Sequence, residues 1–354
     1  IISGNIFDWF NNGYSKYNYL ELASRGPFNS ANQLSALLCL LLPIMFGIYT
    51  YDKKVSNLVT ILLTILSMIM IGTKVALYGS IIVVALYVIM IAVAKLLKQD
   101  ILVDKKIVSI VGLSIFIIGV LYAKSPSINR GMVENSYKSN AEKQEEKEEI
   151  NEYTDENQNN NQNQEISKKQ EMVEYIKENF IDAKIKYDFI TQSYPYIYDP
   201  EFWIEIMKLP VNERTDYRFL ELKMYQRVKQ INNNKNDDLF GISFTRSEQL
   251  FTLERDFVYQ YYTMGLIGVI LLLGPYVLIA FGCSFRIALE LRKKFNVKYA
   301  MTCFGTIFIL AVSVYSGNIM DALTITIILA FILGKLAKDL FIENKEIENK
   351  NLYI

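Results

Sequence analysis

Residues 61–71 read Ile61-Leu62-Leu63-Thr64-Ile65-Leu66-Ser67-Met68-Ile69-Met70-Ile71, eleven positions without a charge. A helix of a soluble protein keeps a polar stripe for water, and this run has none. Val269 to Phe281 is equally bare of charge. Working outward from these two, the chain gathers its apolar residues into seven blocks, at 34–50, 55–71, 75–94, 107–123, 259–281, 299–314 and 322–340. Each is near the roughly 20 residues that a helix needs to cross about 30 Å of hydrocarbon. With 51% hydrophobic residues in 354, the chain holds more apolar matter than a soluble core requires. These blocks predict an all-α polytopic membrane protein with about seven transmembrane helices.

The formal net charge is zero, from 37 basic and 37 acidic residues, which points to no nucleic acid partner. Placement is more informative. Lys53 and Lys54 follow the first block, Lys95, Lys98, Lys105 and Lys106 separate the third from the fourth, and Arg286, Arg292, Lys293, Lys294 and Lys298 separate the fifth from the sixth. Alternating spans put all three on one side, and the positive-inside rule makes that side the cytoplasm. The expected layout is therefore an extracytoplasmic segment at 1–33, spans at 34–123, a large extracytoplasmic loop at 124–257, spans at 258–340 and a cytoplasmic tail at 341–354. Trp9, Tyr14, Tyr17 and Tyr19 suit the headgroup layer. The chain opens at Ile1 without an initiator Met, as expected of the C-terminal part of a longer protein.

Within the loop, about residues 134–170 are Glu, Lys, Asn and Gln with almost nothing to bury, and are expected to be disordered. Apolar residues then return at helical spacing. Val173, Ile176 and Phe180 mark one helix, and Tyr217, Leu220, Met224, Val228 and Ile231 mark another. Tyr194-Pro195, Asp199-Pro200 and Leu209-Pro210 break the chain between them. There is no histidine, so no imidazole base and no metal site are expected. Cys39, Cys283 and Cys303 sit in or beside apolar blocks, as small hydrophobes rather than bridges. No phosphate-binding glycine fingerprint is present, which argues against an ATP-driven pump.

Four places hold charge at the outer face. They are Arg25-Gly26-Pro27-Phe28-Asn29-Ser30-Ala31-Asn32; Gly72-Thr73-Lys74; Arg218, one turn after Arg214; and Leu253-Glu254-Arg255-Asp256-Phe257-Val258, which runs into Gly265-Leu266-Ile267-Gly268. Each has a plain structural explanation. Lys74 snorkels to lipid phosphates. Arg218 pairs with Glu221 on a wet helix surface, worth on the order of 0.3 kcal/mol. Glu254 and Asp256 favour the start of a helix capped by Thr252. Gly265 and Gly268 form a close-packing face.

In order, however, these segments resemble the O-antigen ligase and polymerase superfamily of membrane glycosyltransferases. The matches are a Gly- and Asn-rich stretch before a Pro-containing span, here Arg25 to Pro43, and a small-residue-basic turn, here Thr73-Lys74. They continue with a loop Arg followed by a Leu-Phe-Gly-Ile-Gly-like turn, here Arg218 and Leu239-Phe240-Gly241-Ile242-Ser243, and with a segment leading to Gly-Leu-x-Gly, here Glu254 to Gly268. Counting back from Gly265, Glu254 stands where many members of the superfamily have a histidine.

The resemblance implies an inverting, metal-independent enzyme with no cofactor, in bacterial surface-polysaccharide assembly at the plasma membrane. Its donor would be a polyprenyl-diphosphate-linked oligosaccharide of the undecaprenyl type and its acceptor a glycan, with membrane lipid and other polysaccharide-assembly proteins around it. Arg218 and Lys74, with Arg25 as a third, would bind the diphosphate. Glu254 or Asp256 would take the acceptor's proton, and Arg227, on the same helix as Arg218, would serve as an uninvolved control. Alternatives are a transporter or flippase for lipid-linked glycans, or an inactive scaffold. A transporter usually carries charges deep in its spans, and these spans are nearly free of them.

Overall fold

The computed structural model describes residues 30–99, 103–132, 135–136, 162–243, 250, 253–289, 295–317 and 319–343. Among them the regular structure is helical, with no strand. The chain divides into two units: a bundle of Ile1–Val133, Arg255–Phe257 and Ile270–Ile354, and a loop unit of Glu134–Glu254 and Val258–Val269.

The bundle contains α1 (Ala31–Tyr51), α2 (Val55–Met70), α3 (Lys74–Leu96) and α4 (Lys105–Tyr122). Polar residues start three of these helices. Ser30 accepts from the Asn32 N–H at 3.2 Å, Thr73 from Ala76 at 3.1 Å and Asp104 from Ile107 at 3.1 Å. After the loop come α8 (Asp256–Leu272), α9 (Gly274–Leu289), α10 (Val297–Tyr315) and α11 (Leu323–Lys338). The labels α5 to α7 belong to the loop unit.

Helix α1 lies against α10, α3 and α2, while α9 and α11 flank α10. Small residues set the closest approaches. A Cβ added at Gly305 would stand 2.7 Å from the Leu40 carbonyl oxygen, and one at Gly79 would stand 2.6 Å from the Cys39 sulfur. Cys39, Cys283 and Cys303 are all buried free thiols.

The outward faces are apolar. Phe116 is 67% exposed and Leu278 74% exposed, and burying each such side chain away from water is worth about 1.5–3 kcal/mol. Lipid supplies that environment. Five stretches are long and apolar enough to cross a membrane: Ala31–Tyr51, Lys74–Leu96, Lys105–Met132, Asp256–Leu289 and Val297–Tyr315. The chain is thus an all-α polytopic membrane protein. The second and seventh expected spans appear as shorter helices, α2 and α11, of 16 residues each. The fifth is longer than expected. It runs over 34 residues, Asp256–Leu289, as α8 and α9, and Val258–Val269 of it belongs to the loop unit.

The loop unit is built on α5 (Gln162–Asn179), α6 (Pro200–Met207) and α7 (Tyr217–Asn232). Its core gathers Ile176, Phe189, Phe202, Trp203, Leu220 and Met224. Asp199 caps α6 through the Phe202 N–H at 3.4 Å, with Pro200 in the first turn. Of the stretch expected to be disordered, residues 134 and 137–161 lie outside the described residues, while 135–136 and 162–170 are helical.

Candidate functional site

In the loop unit the Asp216 side chain starts α7 by accepting from the Arg218 and Phe219 N–H groups. Arg218 then projects from the first turn. Its Nε and Nη2 donate to one carboxylate oxygen, Oε2 of Glu254, at 3.0 and 2.8 Å. The side chains of Arg218 and Glu254 remain 44% and 41% exposed, so the pair is open to a ligand. The plain structural alternative for Arg218 is a surface pair with Glu221. The structure assigns that place to Glu254, and Glu221 is buried instead, three residues after Arg218 on α7.

An oxygen of the Glu221 carboxylate accepts from the Glu254 backbone N–H at 3.4 Å. Burial pushes the Glu221 carboxyl up to about 7, partly offset by that N–H; the charges of Glu254 and Asp216 raise it further, and Arg218 lowers it. The result is an exposed ion pair resting on a buried acid.

The two glycine segments come together nearby in the same unit. Helix α8 breaks at Gly265, with φ 68° and ψ −174°. The broken turn frees carbonyl groups, and the Leu239–Ser243 segment takes them up: Ile242 N–H donates to Tyr262 O at 2.8 Å and Ser243 N–H to Thr263 O at 3.1 Å. Contact is backbone on backbone. A Cβ at Gly265 would lie 2.3 Å from the Leu239 carbonyl, and one at Gly241, where φ is +76°, would lie 2.4 Å from Thr263. Gly265 is therefore a helix break that seats a loop, rather than a smooth packing face.

Two segments singled out by their order along the chain thus meet in space. A family model described as O-antigen ligase like membrane protein matches residues 9–343. The chain belongs to this family. Membership makes it a membrane enzyme of surface-polysaccharide assembly, with chemistry of the glycosyl-transfer type in general. No curated protein and no solved structure matches the chain.

The remaining expected site residues of this family member are distributed as follows. Lys74 is exposed at the first position of α3 in the bundle. The preceding Thr73 hydroxyl lies 2.6 Å from the Ser35 hydroxyl, tying the turn to α1. Asp256, also in the bundle, is fully buried; its carboxylate accepts from Met320 N–H at 2.7 Å and from Ile319 N–H at 3.1 Å. Arg25 and Thr252 lie outside the described residues.

Arg227 is no bystander. Its Nε and Nη2 reach the two oxygens of Asp199 at 2.7 and 3.0 Å, and the Tyr194 hydroxyl donates to the same carboxylate at 2.7 Å. Burial alone would raise the Asp199 carboxyl, but Arg227 and Tyr194 outweigh it and hold Asp199 below its ordinary range. In the sequence Glu221 reads as a surface partner and Asp199 as part of a chain break, and neither as a buried acid. Glu221 did sit between Leu220 and the Met224 stripe, the one local sign that it faces inward.

Proposed function

We propose that this protein transfers glycan from a polyprenyl-diphosphate donor to a glycan acceptor, as a polymerase or ligase of bacterial cell-surface polysaccharide. The observation that carries the reading is the open Arg218–Glu254 pair, in which a guanidinium and a carboxylate stand side by side at an accessible surface. A glycosyl diphosphate needs both. Its leaving group carries growing negative charge, which a guanidinium fork holds through paired N–H donors. The acceptor hydroxyl needs a proton acceptor aligned with the anomeric carbon, the role read for Glu254. A single displacement of this kind inverts the anomeric centre, with cationic side chains rather than a metal ion neutralising the diphosphate. Asp256 is given a different part: its engagement by two backbone N–H groups fits it to hold the Ile319–Met320 turn. Lys74 and Arg25 enter as diphosphate ligands on the family resemblance alone.

We further read α2 and α11 as spans, giving seven in all, with the loop unit outside the plasma membrane. A cysteine placed at Asn160 then reacts with an impermeant thiol reagent in intact cells. Labelling seen only after lysis overturns that orientation.

The transfer itself is tested by polymer formation from purified lipid-linked repeat units, with each variant's membrane level measured separately. Arg218→Ala and Glu254→Gln are each expected to lose roughly 10²-fold or more in turnover. Arg218→Lys recovers little, because a point charge cannot reproduce the fork. Asp256→Asn lowers protein level rather than turnover per molecule, and Lys74→Ala and Arg25→Ala test the other two cations singly. Normal turnover in both Arg218→Ala and Glu254→Gln would end the reading.

A further inference from the structure

Leu239 and Phe240 are large, apolar and 45% and 62% exposed, at the end of the helical turn Asp237–Phe240 in the loop unit. The transfer reading gives them no role. Their backbone is nevertheless fixed on two sides. Asp238, the residue before them, is gripped by the Lys229 ammonium and the Tyr261 hydroxyl, and Lys229 lies over the Tyr261 ring at 5.3 Å. From α8, Gly265 approaches so closely that an added Cβ would strike the Leu239 carbonyl and the Phe240 nitrogen. Leu266 and Ile267, directly after Gly265, are exposed as well. An apolar patch of this kind, held on a rigid base, marks a surface that something apolar covers.

Helix α8 indicates what covers it. Its first turns carry Tyr259, Tyr261 and Tyr262, which suit the headgroup layer. From Met264 to Phe285 the chain has no charge, and the exposed apolar residues continue from Leu266 and Ile267 to Ile270 and Leu271. The stretch Asp256–Leu289 is apolar enough to cross a membrane. The change from headgroup to hydrocarbon composition therefore falls at Gly265, where α8 breaks. Hydrocarbon tolerates broken helix only where protein meets the freed backbone groups. The segment after Phe240 does this, since the Ile242 and Ser243 N–H groups donate to the Tyr262 and Thr263 carbonyls.

We propose that Leu239 and Phe240, with Leu266 and Ile267, insert among the acyl chains of the bilayer, making this turn a membrane-dipping anchor that seals the break in α8. The partner is bilayer lipid itself. The Lys229–Asp238–Tyr261 cluster then stands at headgroup level, where a cation and tyrosines are both favoured. Such an anchor fixes the depth of the loop unit, which matters for any substrate whose polar head is tethered at the membrane surface. It does not depend on the identity of the group transferred.

The test uses the full-length protein in vesicles of phosphatidylethanolamine and phosphatidylglycerol, free of polyprenyl lipid, with one nitroxide on an introduced cysteine. Cys39, Cys283 and Cys303 are buried, and unsubstituted protein taken through the same labelling corrects for any signal from them. Oxygen gathers in hydrocarbon, whereas a water-soluble nickel chelate is kept out of it. Leu278→Cys, on the outward face of α9, is the lipid reference, and Glu205→Cys, exposed on α6, is the aqueous one. The labels at Phe240→Cys and Leu266→Cys are expected to match Leu278→Cys, with nickel collision about 10-fold or more below that at Glu205→Cys. Phe240→Cys decides the matter; should it fail to accumulate, Leu266→Cys is read in its place. Nickel access equal to that at Glu205→Cys overturns the proposal. Low access to both reagents, the mark of a protein cover, overturns it too. So does nickel access that disappears only when polyprenyl lipid is added, which would make the patch a ligand groove.

Discussion

The bundle and the loop unit differ in the kind of polar group they bury, mostly hydroxyls in the one and charged side chains in the other. In the bundle, buried or half-buried hydroxyls are returned to the helix that carries them: Ser35 donates to Ala31 O at 2.7 Å, Thr50 to Phe46 O at 3.0 Å and Thr302 to Lys298 O at 2.8 Å. Its buried carboxylates, Asp256 and Asp339, sit at helix ends, and Asp256 is held by the distant backbone N–H groups of Ile319 and Met320 rather than by a counter-ion. The loop unit instead buries Arg214, Asp199, Glu221 and Asp237 within a core of modest size. Hydrocarbon offers no partner for a stray charge, so a span keeps polar groups short and locally satisfied. The loop unit pairs its charges side chain to side chain, Arg227 with Asp199 and Arg218 with Glu254.

The largest effect expected of any change tests whether the loop unit depends on one backbone contact. Gly265→Ala places a Cβ against the Leu239 carbonyl at a positive φ, and is expected to abolish the seating of the Leu239–Ser243 segment. The readout is loss of protease resistance in the loop, with the variant falling far below wild-type abundance. Gly282→Ala is the matching change in the bundle, where an added Cβ meets nothing within 4 Å, and abundance is expected to be unchanged. Equal tolerance of both substitutions would erase the distinction.

Next in size is Arg227→Ala, which strands the Asp199 carboxylate that Arg227 grips with two bonds. Arg227 is 25% exposed, so the loss is set at about 2 kcal/mol, below that of a fully buried pair. It shows as a lower melting temperature of the full-length protein in detergent, at preserved turnover per folded molecule. Lys223, on the same helix and over the Phe219 ring at 5.3 Å, makes the better control, with Lys223→Ala near neutral.

A smaller effect separates the units by pH. Folding raises the Glu221 carboxyl from 4.5 to about 7, so the fold favours its protonated form. The stability it contributes is fully present below about 4.5 and is lost as pH rises through about 7. Melting temperature should fall over that window in wild type and stay flatter in Glu221→Gln. Equal slopes would remove Glu221 from the pH response. The smallest effect is expected from deleting residues 137–161, rich in Glu, Lys, Asn and Gln with almost nothing to bury; polymer levels should stay near wild type. Lost polymer at normal protein abundance would give that stretch a function.

Much of this was legible in the residues themselves. The run from Ile61 to Ile71 marks α2, and Tyr217, Leu220, Met224 and Val228 mark α7, because apolar periodicity is a local property that burial in lipid or in a core rewards directly. The family, too, could be recognised from segments taken in order. What the residues could not tell was which carboxylate Arg218 meets. Glu221, three positions away on the same helix, was the local choice, yet the partner is Glu254, 36 residues on. Nor could they tell that Gly265 breaks α8 to receive the Leu239 carbonyl, since a glycine within an apolar run reads equally as a packing face. The sequence by itself thus determined the helices and the membrane, where each residue answers to its solvent and its near neighbours. The tertiary structure alone decided the pairing of charges, because that depends on how chain closure brings distant segments together, and on which carboxyl group is thereby cut off from water.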